Sequence, residues 1–139
     1  MKISMVTADA KKCTGCKTCE QICSLIKFGS INPKKARLRV VSLYPEPGID
    51  VPITCLQCGK APCKEACPMS AFEREEAGAL VIREDRCIGC NACVEACPFG
   101  AIIPHISETV PLLCDLCGGD PECVRFCPFD ALHFKTFGK

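Results

Sequence analysis

The spacing of the cysteines constrains this chain more than any other feature. Sixteen of its 139 residues are cysteine, and they fall into four groups of four. The groups are Cys13, Cys16, Cys19 and Cys23; Cys55, Cys58, Cys63 and Cys67; Cys87, Cys90, Cys93 and Cys97; and Cys114, Cys117, Cys123 and Cys127. Each group closes on a C-x3-C step. A chain with so many thiols can bridge them, give them to zinc, or give them to iron–sulfur clusters.

Disulfides require an oxidising compartment and a route to it. Residues 1–13 contain no apolar h-region and no twin arginine, so the expectation is a reducing, cytoplasmic and anaerobic setting. Structural zinc takes two C-x2-C pairs separated by a dozen or more residues. Here three cysteines lie close together with a fourth three residues beyond, which is the C-x2-C-x2-C-x3-C-P run of cubane clusters.

The third group, Cys87 to Cys97 followed by Pro98, matches that run at every position. The first group has the same spacing but Ser24 in place of the proline. The second widens one gap to C-x4-C and the fourth to C-x5-C, and both keep the terminal Cys-Pro at Pro68 and Pro128. Close spacing suits a loop that curls around a cube, aiming sulfurs at its corners and backbone N–H groups at its sulfides. Gly15 and Gly89, between the first two thiolates of their groups, suit the positive φ of such a loop. Sixteen ligands amount to four [4Fe–4S] clusters with no thiol left over.

The remainder of the sequence supports a thin organic core. There is no Trp and one Tyr, so the clusters are expected to serve as core, with folding coupled to their binding. No run approaches the roughly 20 apolar residues of a membrane helix. The chain repeats itself after each Cys-Pro: Pro-Met-Ser-Ala-Phe, Pro-Phe-Gly-Ala-Ile and Pro-Phe-Asp-Ala-Leu each read as a turn returning to a strand. Strands are expected at 3–7, 36–43, 51–54, 79–83, 101–103 and 110–113, with single-turn helices such as 91–96 and 122–126. Residues 44–52, rich in proline, read as a loop. The expected fold is α+β, a duplicated bacterial-ferredoxin-like architecture.

Charge is uneven. Residues 1–40 hold nine Lys or Arg against Asp9 and Glu20, and the rest of the chain is acidic. The basic run 32–40 reads as a solvated strand edge or as a docking face for an acidic partner, another copy of the chain included. It lacks the interleaved aromatics of a nucleic-acid surface. No catalytic residue stands out. His105 and His133 are isolated from any nucleophile or carboxylate at useful spacing, Gly118 and Gly119 read as a turn rather than a phosphate cradle, and all four cysteine groups are complete, which leaves no open iron for Lewis-acid chemistry.

Over essentially its whole length the chain resembles iron–sulfur electron-transfer subunits of the dimethyl-sulfoxide-reductase type. The resemblance rests on the C-x2-C-x4-C of the second group and on Cys114-Asp-Leu-Cys117-Gly-Gly-Asp-Pro-Glu-Cys123 in the fourth. Its opening, Cys13-Thr-Gly-Cys-Lys-Thr-Cys-Glu-Gln-Ile-Cys-Ser24 followed by Asn32-Pro33 and Ala36-Arg-Leu-Arg-Val40, is similar to the small subunits of tungsten aldehyde oxidoreductases and tungsten benzoyl-coenzyme A reductases. The resemblance implies a non-catalytic electron-transfer subunit with a larger catalytic partner, a tungsten or molybdenum bis-pterin enzyme, and a further redox partner. A hydrogenase or carbon monoxide dehydrogenase subunit, or a free polyferredoxin shuttle, is the alternative.

In two-cluster ferredoxins the fourth cysteine of one run ligates the other cluster, so the groups are expected to pair. The short gap from Cys67 to Cys87 favours pairing groups two and three. The longer one from Cys23 to Cys55 leaves group one for group four, as the resemblance also implies. The ligand sets are then Cys13, Cys16, Cys19 and Cys127; Cys23, Cys114, Cys117 and Cys123; Cys55, Cys58, Cys63 and Cys97; and Cys67, Cys87, Cys90 and Cys93. This nests an inner unit, 46–104, within an outer one, 1–45 plus 105–139. Sequential pairing, one with two and three with four, stays open because the gap from Cys97 to Cys114 is also short.

Overall fold

The computed structural model describes residues 2–45 and 48–138. Eight short strands pair into four two-stranded antiparallel ribbons rather than one sheet. Strand β1 (Lys2–Ala8) pairs with β8 (Leu132–Gly138), bringing the two ends of the chain side by side from Lys2 opposite Gly138 to Ala8 opposite Leu132. The other ribbons are local hairpins: β2 (Arg39–Leu43) with β3 (Ile49–Ile53), β4 (Phe72–Arg74) with β5 (Leu80–Ile82), and β6 (Ile103–His105) with β7 (Glu108–Leu112), the last with an irregular register. Among the described residues no helix is long and apolar enough to cross a membrane.

Three helices are five residues long: α2 (Pro62–Ala66), α3 (Ala92–Ala96) and α4 (Glu122–Phe126). Each stops one residue short of a Cys-Pro step, where proline bars continuation of the helix by the residue before it. Helix α1 (Thr18–Phe28) runs for eleven residues instead. The single-turn expectation fails here because Ser24 occupies the proline position. Ser24 is fully buried, donates to the Gln21 carbonyl at 2.9 Å and accepts from the Asn32 N–H at 3.0 Å. Gly29, at φ 74°, then ends the helix in the left-handed conformation.

The expected strand positions are met with shifts of one to three residues. Residues 36–38 precede β2 rather than belonging to it, because Pro33–Lys35 form a 3-10 turn capped by the Asn32 side chain. Residues 49 and 50, expected in a loop, belong to β3 together with 51–53. Pro52 is tolerated there because β3 is an edge strand with one partner. Glu46 and Pro47 of that expected loop lie outside the described residues.

The core has two parts. One gathers Val6, Ala36, Leu38, Val40, Leu116 and Leu132 with cysteines of the first and last groups. The other gathers Phe72, Leu80, Ile102 and Leu113 with cysteines of the second and third. Cys114 packs against both. Helix α1 packs on α4 and α2 on α3, so helices pair between groups one and four and between groups two and three.

Candidate cluster-binding sites

The cysteine loops share one local device. The residue before the second cysteine of each group is left-handed: Gly15 at φ 75°, Gln57 at 53°, Gly89 at 73° and Leu116 at 59°. The sequence signals this at the two glycines only; Gln57 and Leu116 adopt the same conformation without that mark, at the strain of a non-glycine residue. A second left-handed residue, Ser70, Gly100 or Asp130, follows each Cys-Pro-x. It turns the chain back, so that the Ala71 and Ala131 N–H groups donate to the sulfurs of Cys67 and Cys127, each at 3.4 Å. Further N–H donors reach Cys55 from Gln57, Cys87 from Gly89 and Cys23 from Arg37. Such donors are what a thiolate bound to iron accepts.

Three of the four expected quartets each line a separate small cavity. Cys13, Cys16, Cys19 and Cys127 line one together with Val40 and Pro52. Cys55, Cys58, Cys63 and Cys97 line a second, and Cys67, Cys87, Cys90 and Cys93 a third. In each, the fourth cysteine of one group joins three from another. The remaining four, Cys23, Cys114, Cys117 and Cys123, are electrostatic neighbours, with Cys123 facing Cys114, Cys23 and Cys117. The thiols thus surround cavities. Among the described residues no group of three or more His, Cys, Asp or Glu side chains is gathered as the ligands of a single metal ion would be.

Burial pushes the thiols of Cys19, Cys55 and Cys114 up to about 12 and that of Cys93 to about 11, with repulsion from neighbouring cysteines adding to it. Cys16 differs, lowered chiefly by the Thr18 hydroxyl, which donates to its sulfur at 3.4 Å. Cys16 and Cys90 are the two exposed cysteines of the sixteen. Electrostatic repulsion also crosses between quartets, Cys63 raising Cys93, Cys55 raising Cys114 and Cys19 raising Cys123. Soft thiolate donors in fours, three of the sets around a cavity and several thiols with N–H groups aimed at the sulfurs, fit cubane iron–sulfur clusters.

Two polar groups tie the loops together, and the motif reading did not single them out. Gln57 is fully buried; its Nε2 donates to the Cys114 carbonyl at 2.9 Å and its Oε1 accepts from the Leu80 N–H at 2.6 Å. Asp115 binds Lys27 Nζ at 2.6 Å and Arg37 Nη1 at 3.4 Å. Its pKa is lowered overall, the cationic partners and the Cys117 N–H outweighing a burial that acts the other way. Two of the four cations of the basic run are engaged within the molecule, while Lys34 and Arg39 are exposed. Lys35 is held by Glu108 at 3.2 Å and lies over the Phe28 ring, and Arg37 is held by Asp115 and the Leu113 carbonyl. His105 and His133 are surface residues at strand positions, His105 bonded to Ser107 and His133 3.9 Å from Asp130.

Three segments match models of 4Fe-4S binding domains: residues 10–28, 80–103 and 114–131. The polyferredoxin-like subunit of an aliphatic sulfonate oxidoreductase of Pyrococcus furiosus is 47% identical over 89 residues, covering 63% of this chain and 49% of its own. The electron transport protein HydN of Escherichia coli is 35% identical over 92 residues, covering 61% and 50%. The chain spans about half the length of these curated relatives. Among solved structures, the BamBC active site complex of benzoyl-coenzyme A reductase contains a chain 28% identical that superposes with a TM-score of 0.59 over 99% of this chain and 81% of that one. Three segments of the chain match 4Fe-4S binding domains, its fold is α+β and ferredoxin-like, and these matches with its sixteen cysteines support multiple [4Fe–4S] clusters.

Proposed function

We propose that the chain is a non-catalytic electron-transfer subunit with four [4Fe–4S] clusters, linking a larger catalytic oxidoreductase subunit to a second redox partner in an anaerobic cytoplasm. The observation that carries the reading is the gathering of all sixteen cysteines into four complete quartets. When bound, each cluster supplies a one-electron centre. The proposed ligand sets are Cys13, Cys16, Cys19 and Cys127; Cys23, Cys114, Cys117 and Cys123; Cys55, Cys58, Cys63 and Cys97; and Cys67, Cys87, Cys90 and Cys93. Three cavities, each lined by one such set, favour this over sequential pairing. The pairing of β1 with β8, and of α1 with α4, supports an inner unit at 46–104 nested in an outer one.

The electrostatic couples Cys93–Cys63, Cys55–Cys114 and Cys19–Cys123 support an arrangement of the four sets in a line. Its two end sets contain Cys90 and Cys16, the exposed cysteines. A line of centres open at both ends suits transfer between two partners, whereas a storage protein or a catalyst needs no second exit. The larger partner is proposed to be a tungsten or molybdenum pterin enzyme of the aldehyde oxidoreductase type. Support comes from the oxidoreductase-subunit relative and from the likeness to a chain of the BamBC active site complex.

Native anaerobic purification tests this. Iron and acid-labile sulfide at about sixteen each per chain, with a co-purifying larger polypeptide containing tungsten or molybdenum, is expected. About twelve irons would overturn the four-cluster assignment, and a chain that elutes alone would overturn the subunit reading.

A further inference from the structure

We propose that Asp50 sets the reduction potential of the cluster held by Cys13, Cys16, Cys19 and Cys127, an inference that rests on the ligand assignment above. Val40 and Pro52 oppose each other across the β2–β3 ribbon and line that cavity. One pair further along the same face, two residues on in each strand, stand Ser42 and Asp50. Asp50 is 6% exposed, and its carboxylate lies directly beneath the Cys13–Cys16 loop. A Cβ at Gly15 would meet its Cγ at 2.7 Å and both oxygens at 2.8 Å, so glycine is what allows the loop to rest on the carboxylate.

Two hydroxyls donate to the Asp50 carboxylate. Ser42 donates its hydroxyl to Oδ1 at 2.5 Å and Tyr44 donates to Oδ2 at 2.9 Å. That bond holds the Tyr44 phenol above its ordinary range, as donation to an anion does. Hydroxyls solvate the charge but do not neutralise it. Among the described residues no Lys, Arg or His forms an ion pair with Asp50, whereas Asp115, beside the set containing Cys114 and Cys117, is neutralised by Lys27 and Arg37. Glu20, next to Cys19, is raised chiefly by burial, which the nearby Lys17 and Arg39 offset only in part. Asp50 therefore adds an unpaired negative charge behind one end set of the line. A fixed anion in a buried setting opposes the arrival of an electron and lowers the potential of the nearest centre. This end, with Cys16 exposed, is thereby biased to pass electrons onward rather than to retain them.

The test is an anaerobic redox titration of the holo-protein followed by electron paramagnetic resonance. Asp50→Asn preserves shape and removes the charge; one midpoint is expected to rise while the other three hold. The moving signal should be the one whose line shape Cys16→Ser alters. Tyr44→Phe removes a donor and leaves the charge less solvated, so the same midpoint should fall; it also serves if the Asn variant does not fold. If Asp50 only braces the ribbon, both variants melt earlier and no midpoint moves, which overturns the proposal, as does movement of a different cluster. A parent protein lacking a cluster that Cys16→Ser perturbs would instead overturn the ligand assignment on which the proposal rests.

Discussion

Replacing Gln57 by leucine should destabilise the protein far more than its position in a loop suggests. The side chain has no solvent contact and joins the two parts of the core, binding the Leu80 N–H on one side and the Cys114 carbonyl on the other. Leucine fills nearly the same volume and makes neither bond. A buried donor and a buried acceptor are then left unpaired, at about 1–3 kcal/mol each. Removing the amide from the interior offsets a fraction of that loss, so the net effect is roughly 3–4 kcal/mol. For a chain of this size each kcal/mol moves the melting midpoint by about 3–5 °C, which places the variant about 9–20 °C below the parent. The assay is an anaerobic melt of the holo-protein at fixed scan rate, read by visible absorbance and far-ultraviolet circular dichroism. Cluster loss makes the transition irreversible, so both proteins are compared at the same rate. Gln57→Glu retains the acceptor for Leu80 but sets a carboxylate against the Cys114 carbonyl, and it should fall at least as far. A Gln57→Leu midpoint within about 2 °C of the parent would refute the reasoning.

Removing the iron by anaerobic chelation should abolish cooperative unfolding, because cysteines fill much of both core parts; a cluster-free chain with a sharp thermal transition would contradict this. Gly78→Ala should cost more than Gly29→Ala, since its Cβ would meet the Ser4 backbone nitrogen at 2.7 Å whereas nothing lies within 4 Å of one at Gly29. Both have positive φ, at about 1–2 kcal/mol each for a residue with a side chain, so the melting difference isolates the clash. Ser24→Pro restores the Cys-Pro step to the first group and should shorten α1, at about 3 kcal/mol or more for proline within a helix. Circular dichroism at 222 nm and the anaerobic melt both read it, and unchanged helix content would count against the proposed role of Ser24.

The cysteine groups made the α+β class and the pairing of helices legible, since ligand spacing dictates the loop and the loop dictates where its helix begins. The length of α1 was equally available from Ser24, because a missing proline is a local signal. The expectation of single-turn helices gave that signal too little weight. The start of β3 was hidden for the opposite reason. Proline at positions 45, 47 and 52 reads as loop composition, yet an edge strand with a single partner accepts Pro52. Gln57 and Asp50 could not be read at all. Each matters through a partner distant in sequence, Cys114 in one case and the loop at Gly15 in the other, and no local pattern marks either pair.

The proposed nesting of two units bears on how the proposed line of centres is built. In the proposed assignment every quartet takes its last thiol from a different segment, so no cysteine group can complete a ligand set by itself. The inner pair of groups is separated by one hairpin, β4–β5, and can close early on local contacts. The outer pair needs β1 to meet β8 across nearly the whole chain, and such long-range closure comes late in folding. Cys114 packs against both core parts, and its carbonyl receives the Gln57 amide of the inner unit. A formed inner unit thus presents a fixed site on which the fourth group can settle before the first group and the β1–β8 ribbon close over it. The order of closure then runs along the line from the Cys90 end toward the Cys16 end.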